Sequence, residues 1–329
     1  MNLLITGATG FVGRNLLLSA LRDERFEQIL LHARNAPKLR AQLSSENVDP
    51  ADHPRLRLLD AAPPSSAPLD EVTHAVHAVG VSFARERKSY EAANVDPALA
   101  LTAALPTATR LIVLSSQSAG GPTPADQPAR QITDPDAPIT LYGKSKLEME
   151  RQLLAARPDT AIWRPPMILG PRDAATVPLF QMARSLVQIK PGFVPKSYSW
   201  ISVNDLANAL LTALTSTAWN ATVGRPIYTG SPTTITDLDL VQTATRLCNR
   251  TPYVLRLPSP AIRLVATVID AIPPLRSAAP SLTRDRVREI YADRWVIDSS
   301  EFQTHFLQTP ASSLESTLTQ TRDWLKAHG

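Results

Sequence analysis

Tyr142 and Lys146 stand four positions apart in the run Leu141-Tyr142-Gly143-Lys144-Ser145-Lys146. On a helix that spacing puts both side chains on one face. A free phenol titrates near pH 10 (about the value in small peptides), too high for ready proton exchange at neutrality. A neighbouring ammonium favours the phenolate and lowers that value. Such a phenol can give a proton to a carbonyl oxygen or take one from an alcohol. No other tyrosine of the chain has a lysine four residues on. Upstream, the apolar run Leu111–Leu114 opens into Ser115-Ser116-Gln117-Ser118-Ala119-Gly120-Gly121. Ser116, with Ser118 as its rival for the substrate contact, would hold the oxygen that Tyr142 protonates.

Hydride chemistry needs a nucleotide cofactor, and the first residues offer a place for one. Asn2–Thr6 reads as a strand and Phe11–Arg22 as an amphipathic helix, with Gly7, Gly10 and Gly13 in the turn between them. In that setting Gly7 permits the sharp exit from the strand, and Gly13 lets helix and strand approach. Gly10 leaves the backbone N–H groups at the helix start open to a pyrophosphate. Thr9, Phe11 and Val12 share that turn and are read with it as cofactor contacts. The second strand ends Leu31-His32-Ala33-Arg34, followed by Lys38 and Arg40. A carboxylate for a ribose 2′-OH is missing there, and a guanidinium suited to a 2′-phosphate is present. NADP is therefore the expected cofactor, with NAD as the alternative. Asp60, at the end of the third strand, is read as an acceptor for the adenine amino group.

Short apolar runs at Ile29–His32, Leu56–Leu59, Val72–Val79, Arg110–Leu114 and Thr160–Trp163 alternate with helical stretches near 85–104 and 141–156. The alternation predicts a doubly wound parallel sheet of the Rossmann kind, an α/β fold. Strands at its carboxyl edge would carry the ligands. After residue 165 the alternation becomes irregular and proline-rich. We divide the chain into a nucleotide-binding domain over 1–165, to which about 201–225 returns, and a smaller, mainly helical substrate lobe over 166–329. Helices are expected over Val203–Leu214, Thr236–Cys248 and Ser313–Lys326, and a strand at Ile227–Thr229.

Together, Thr6–Gly13, Ser115–Gly121, Tyr142–Lys146 and Arg164-Pro165-Pro166 with Gly170-Pro171 resemble the extended short-chain dehydrogenase/reductase superfamily. The likeness is greatest to its branch of 3β-hydroxysteroid-dehydrogenase-like, dihydroflavonol-reductase-like and epimerase-like proteins. Ser202–Leu206 and Arg294-Trp295-Val296 carry the likeness toward the C-terminus. The resemblance implies that Ser116, five positions before Gly121-Pro122, is the catalytic serine and Tyr142 the acid/base. Lys146 would be both its pKa modifier and a ribose ligand. It also implies that Ala78, Val79 and Gly80 line the ribose, with Ser115 nearby, and that Asn94 steadies the cofactor loop. Pro165 to Ile168 would touch the nicotinamide. The stretch Val79-Gly80-Val81 departs from the family's usual alanine-rich one.

Other features bound the function. The 329-residue chain carries a net charge of +4 without a long basic block, which argues against a nucleic-acid partner. Its single cysteine, Cys248, excludes an internal disulfide and fits a reducing compartment. A strand beginning at residue 2 leaves no signal segment, and the longest apolar stretch, 260–272, is broken by Arg263 and Asp270. A cytoplasmic protein without a membrane span is expected. His74 and His77 fall on opposite faces of one strand, so no metal site is expected. Arg172, Lys190 and Lys196 are candidates to recognise an anionic substrate group, and the proline-rich segment 121–140 is a candidate flap beside Ser116. The leading reading is NADP-dependent hydride transfer between a ketone and a secondary alcohol. A nucleotide-sugar epimerase or dehydratase with tightly bound NAD is the alternative, and a non-enzymatic NADP-binding protein the third. The family resemblance is compatible with a homodimer formed through exposed helices of the Rossmann domain, and the sequence itself leaves the oligomeric state open.

Overall fold

Alternate residues of the first strand enter opposite sides of a sheet. In this computed structural model, Leu3 and Ile5 of β1 (Asn2–Thr6) pack with Leu16, Leu17, Leu206 and Leu210. Leu4 packs on the other side with Leu101, Leu111, Met149 and Leu153. A strand buried on both faces must be apolar at every position, which is why these runs read as continuous rather than alternating. The structure describes residues 1–59, 69–84, 86–185, 187–250, 253–258, 264, 267–268, 284–308 and 310–328. Asp60 and most of the stretch 260–272 lie outside the described residues.

The main sheet holds β1, β2 (Gln28–His32), β3 (Leu56–Leu59), β4 (His74–His77), β5 (Arg110–Leu114) and β6 (Ala161–Arg164). Its order is β3-β2-β1-β4-β5-β6, and a later strand, Pro226–Tyr228, joins beyond β6. All its pairings are parallel. Strand order reverses between β1 and β4, and the crevice at such a reversal is where ligands sit in sheets of this kind.

Local chemistry sets the helix boundaries. Helix α1 (Phe11–Ala20) starts at Gly10 without a side-chain cap. Asn35 accepts from the Lys38 N–H and so caps α2 (Ala36–Ser44). Arg87–Tyr90 (α3) runs through a π-turn at Glu91–Val95 into α4 (Asp96–Ala104). Gln117–Gly120 forms the single turn α5, and Leu141–Ala156 forms α6, capped by Thr140. Beyond α7 (Val177–Arg184), Ser202 caps α8 (Val203–Thr215). Asp205 in its first turn accepts from the N–H and hydroxyl of Ser312. Thr236 and Asp239 make a reciprocal capping box at the start of α9 (Asp237–Leu247). Cys248 is the half-buried C-cap of that helix.

The chain after residue 165 contains more strand than its sequence suggested. β7 (Met167–Leu169) pairs with β9 (Ser197–Ser202), which also pairs with Thr234–Thr236 and with Arg294–Trp295. β8 (Val187–Pro191) pairs with Tyr253–Leu257. These strands are two to six residues long and find partners far along the chain, so periodicity within any one window is too short to mark them. Among the described residues the remaining α-helices are Arg284–Tyr291, Ser300–His305 and Leu314–His328. In chain order Pro226–Tyr228, Thr234–Thr236, Tyr253–Leu257 and Arg294–Trp295 are β10 to β13.

Candidate active site

The glycine turn is held by contacts that no side chain could share. A Cβ on Gly13 would sit 2.2 Å from the Gly7 carbonyl oxygen, so α1 can lie on the end of β1 only with glycine there. Gly7 itself has φ +82° and backs onto the Ala78 carbonyl at the end of β4. The Gly10 N–H closes the turn onto the Gly7 carbonyl at 2.8 Å. No side chain caps α1 and no acidic residue lies in its first turn. The N–H groups of Phe11, Val12 and Gly13 therefore form a positive helix end without a side-chain cap, which suits the pyrophosphate of a dinucleotide. Thr9 lends its carbonyl to Gln42 at 3.4 Å. Arg34 is exposed directly after β2, where the 2′ position of a bound adenosine ribose would be met.

Lys146 draws three segments together. It is buried, and its Nζ donates to the Leu114 carbonyl at the end of β5, 2.9 Å away. A Cβ on Gly80 would lie 3.1 Å from Nζ and 3.4 Å from Asn94 Oδ1, so the 78–80 loop passes directly over the lysine. Asn94, in the π-turn, accepts from the Val81 N–H at 2.8 Å and donates to Ser145 Oγ at 3.0 Å. That residue fastens the loop to α6. Burial pushes the Lys146 ammonium down to about 8, against the pull of Glu150 one turn further on.

The turn that carries Ser116 and the helix that carries Tyr142 touch through their backbones. A Cβ on Gly143 would fall 2.2 Å from the Ser118 carbonyl oxygen, so the start of α6 rests on α5. Ser116 Oγ accepts from the Ser118 N–H at 3.1 Å and caps α5. Tyr142 lines a cavity with Ser82, Phe83, Ala84, Tyr90, Thr140, Asp285 and Glu289. Its ring stands 6.1 Å from that of Tyr90. Ser118 Oγ and Thr140 Oγ1 both donate to Glu289 Oε1 at 3.1 Å, and Asp285 accepts from the Leu141 N–H at 2.8 Å. Neither carboxylate was singled out in the sequence. They arrive on a helix over 140 residues downstream of Leu141 and Thr140, where nothing local marks them as cavity residues.

A second arrangement absent from the sequence reading lies beneath the site. Arg164, 1% exposed, grips Glu150 through Nε at 2.9 Å and Nη2 at 2.5 Å, and reaches Asp136 at 2.7 Å. Ser115 Oγ donates into the same Glu150 carboxylate. The Ser115 hydroxyl is turned into the buried ion pair, which leaves its backbone for any cofactor contact. Burial pushes the Glu150 carboxyl up, while the hydrogen bonds from Arg164 pull it down.

Other expected site residues are placed as follows. Pro165 is buried with its carbonyl on the Gln117 N–H at 2.9 Å, and Ile168 is half-buried against the main core. Arg172 does not serve the cavity. Its guanidinium pairs with both Glu46 oxygens at 2.5 Å and with Asn15 at 3.0 Å, so its fork is spent behind α1. Lys190 is likewise tied to Asp237 at 2.9 Å, and Lys196 to the Ile290 carbonyl. The 121–140 segment is pinned rather than loose. Arg130 donates to the Pro122 and Pro135 carbonyls, and its N–H bonds the Val296 carbonyl. His77 is fully buried on Thr6 Oγ1 at 2.8 Å, and burial holds its pKa down at about 3. Among the described residues no group of three or more His, Cys, Asp or Glu side chains is placed to hold a metal. No helix among them is long and apolar enough to cross a membrane.

The parallel sheet with its glycine turn is the fold of NAD(P)-dependent enzymes of the extended short-chain dehydrogenase/reductase type. The profile of the NAD dependent epimerase/dehydratase family matches residues 3–223, and the chain belongs to that family. It is similar to a ceramide reductase of Caulobacter vibrioides (strain NA1000 / CB15N), 26% identical over 331 aligned residues spanning 99% of this chain and 94% of that one. Among solved structures it is similar in fold to a UDP-glucuronic acid 4-epimerase from Bacillus cereus bound to UDP-glucuronic acid and NAD. That likeness has a TM-score of 0.75 and 17% identity, covering 99% of each chain. A dTDP-glucose 4,6-dehydratase from Bacillus anthracis str. Ames, in complex with NAD, gives a TM-score of 0.73 at 17% identity, covering 100% of this chain and 97% of that one.

Proposed function

We propose that the protein is an NADP-dependent reductase of a ketone that carries no phosphate or other anionic group near its carbonyl. The observation that supports this reading is the pair of carboxylates, Asp285 and Glu289, in the Tyr142 cavity. A sugar diphosphate entering that cavity would meet like charge in a partly desolvated space, where repulsion is only weakly screened. A neutral substrate with hydroxyl or amide N–H groups would find acceptors there, and Phe83 and Tyr90 offer apolar wall. The likeness to a ceramide reductase points the same way.

In this reading NADPH supplies a hydride to the carbonyl carbon. Tyr142 gives its proton to the carbonyl oxygen as the C–O double bond becomes single, and Ser116 holds that oxygen. Lys146, kept beside the cofactor loop by Leu114 and Asn94, stabilises the phenolate left behind. Arg34 would receive the 2′-phosphate, and Ala78, Val79 and Gly80 would line the ribose.

The test is the absorbance of NADPH mixed with purified protein and a panel of β-keto amides and long-chain ketones. Loss of NADPH absorbance with a ketone, and none with UDP- or dTDP-sugars, is expected. Protein that purifies with bound NAD and interconverts a nucleotide sugar would overturn the reading in favour of the epimerase alternative.

A further inference from the structure

Large apolar side chains left in water are unevenly spread over this chain. Of the eight exposed among the described residues, Phe83 lines the Tyr142 cavity and the other seven fall between residues 187 and 268. Scattered single exposures need no explanation, but a contiguous set does. β8 and β12 form a two-stranded parallel ribbon with Val187 beside Tyr253. Tyr253 is 72% exposed and Leu255 43%. The loop leaving β8 carries Phe193 and Val194, 59% and 62% exposed. It stays against the end of β12, because the Gly192 N–H donates to the Leu257 carbonyl at 2.8 Å and Arg256 reaches the Phe193 carbonyl at 3.4 Å.

The strands of this ribbon and their flanks carry charge of one sign along the chain. No Asp or Glu occurs over 174–204 or over 240–269, the stretches that contain β8 and β12. Arg184, Arg250 and Arg256 in them are exposed, while the nearby Asp237 is taken by Lys190. Exposed apolar tips on strands whose own segments carry arginine and no carboxylate suit the boundary between acyl chains and anionic headgroups. The ribbon also bears on the cavity. Leu257 of β12 and Tyr291 pack on buried Val287, and Lys196 Nζ stands 4.6 Å over the Tyr291 ring. Val287 and Tyr291 belong to the helix Arg284–Tyr291, which brings Asp285 and Glu289 to Tyr142.

We propose that the β8–β12 ribbon and the Phe193–Val194 loop dock on an anionic lipid bilayer surface, with the helix Arg284–Tyr291 joining the docked face to the Tyr142 cavity. This goes beyond the reductase reading, since docking needs no turnover. The chain would lie on the bilayer through loop and strand tips.

The test is sedimentation of the full chain with vesicles of phosphatidylcholine alone and of phosphatidylcholine with phosphatidylglycerol. Co-sedimentation with the anionic vesicles, weakening as salt rises, is expected. The double variant Phe193→Ser, Val194→Ser should bind about tenfold more weakly or worse, and Arg256→Ser should weaken binding to the anionic vesicles. Circular dichroism checks the fold of each variant, and Tyr253→Ser on the other strand repeats the test should the loop variant misfold. Absence of binding to anionic vesicles, or binding indifferent to these substitutions, would overturn the proposal. So would a concentration-dependent dimer that the same substitutions dissolve, which would give this face to a second copy of the chain.

Discussion

The ammonium of Lys146 is fastened to the carbonyl of Leu114 at 2.9 Å, so the helix bearing Tyr142 and the strand end bearing Ser116 share one buried anchor. That bond keeps a charged group beneath the cofactor loop while its surroundings exclude water. Burial places the Lys146 pKa at about 8, below its value in an unfolded chain.

The sign of the resulting pH dependence follows. Lys146 is charged below about pH 8 and loses its proton as pH rises through that value. Since the charged form is the one that stabilises a phenolate, ketone reduction should fall on the alkaline side with an apparent midpoint near that pH. Lys146→Met should remove this alkaline limb and lower kcat by about 100-fold or more. Rate measurements across pH at saturating NADPH check both statements, and a wild-type rate that stays level beyond pH 9 (roughly one unit above) would refute the first.

Arg34 tests the choice of cofactor. Arg34→Ala should raise the Kd for NADPH by about 10-fold to 100-fold, the loss of a charge-assisted hydrogen-bonding pair, and leave NADH within about threefold. Fluorescence titration of both nucleotides reads the difference. Equal affinity of the unsubstituted protein for the two would contradict the assignment.

Glu150 and Arg164 test the platform under Ser115. Glu150→Gln leaves a buried guanidinium short of its main partner and should cost about 3–5 kcal/mol of stability. The double variant Glu150→Gln, Arg164→Met should be less destabilised than the sum of the two single ones. Urea unfolding of the variants measures both, and full additivity would deny the coupling.

Much of this site was legible in the sequence because its parts are local. The glycine turn, the Tyr-x-x-x-Lys pair and the Ser-rich strand end are each built from residues within a few positions of one another. The parallel sheet followed from apolar runs that are buried on both faces, as Leu3, Leu4 and Ile5 show. The rest depended on distance along the chain. Glu150 sits in a helix among Lys, Glu and Arg residues and reads as surface charge until Arg164, 14 residues on, is folded over it. Arg172, Lys190 and Lys196 looked like substrate ligands for the same reason in reverse, since their partners Glu46, Asp237 and the Ile290 carbonyl are remote.

The most direct test is the rate of NADPH oxidation by Tyr142→Phe with a ketone that the unsubstituted protein reduces. The variant keeps the ring and its contact with Tyr90 and loses the phenolic hydroxyl with its exchangeable proton. We predict a kcat lower by about 100-fold or more with NADPH affinity changed by less than about threefold. A variant that reduces the ketone at an undiminished rate would contradict the account.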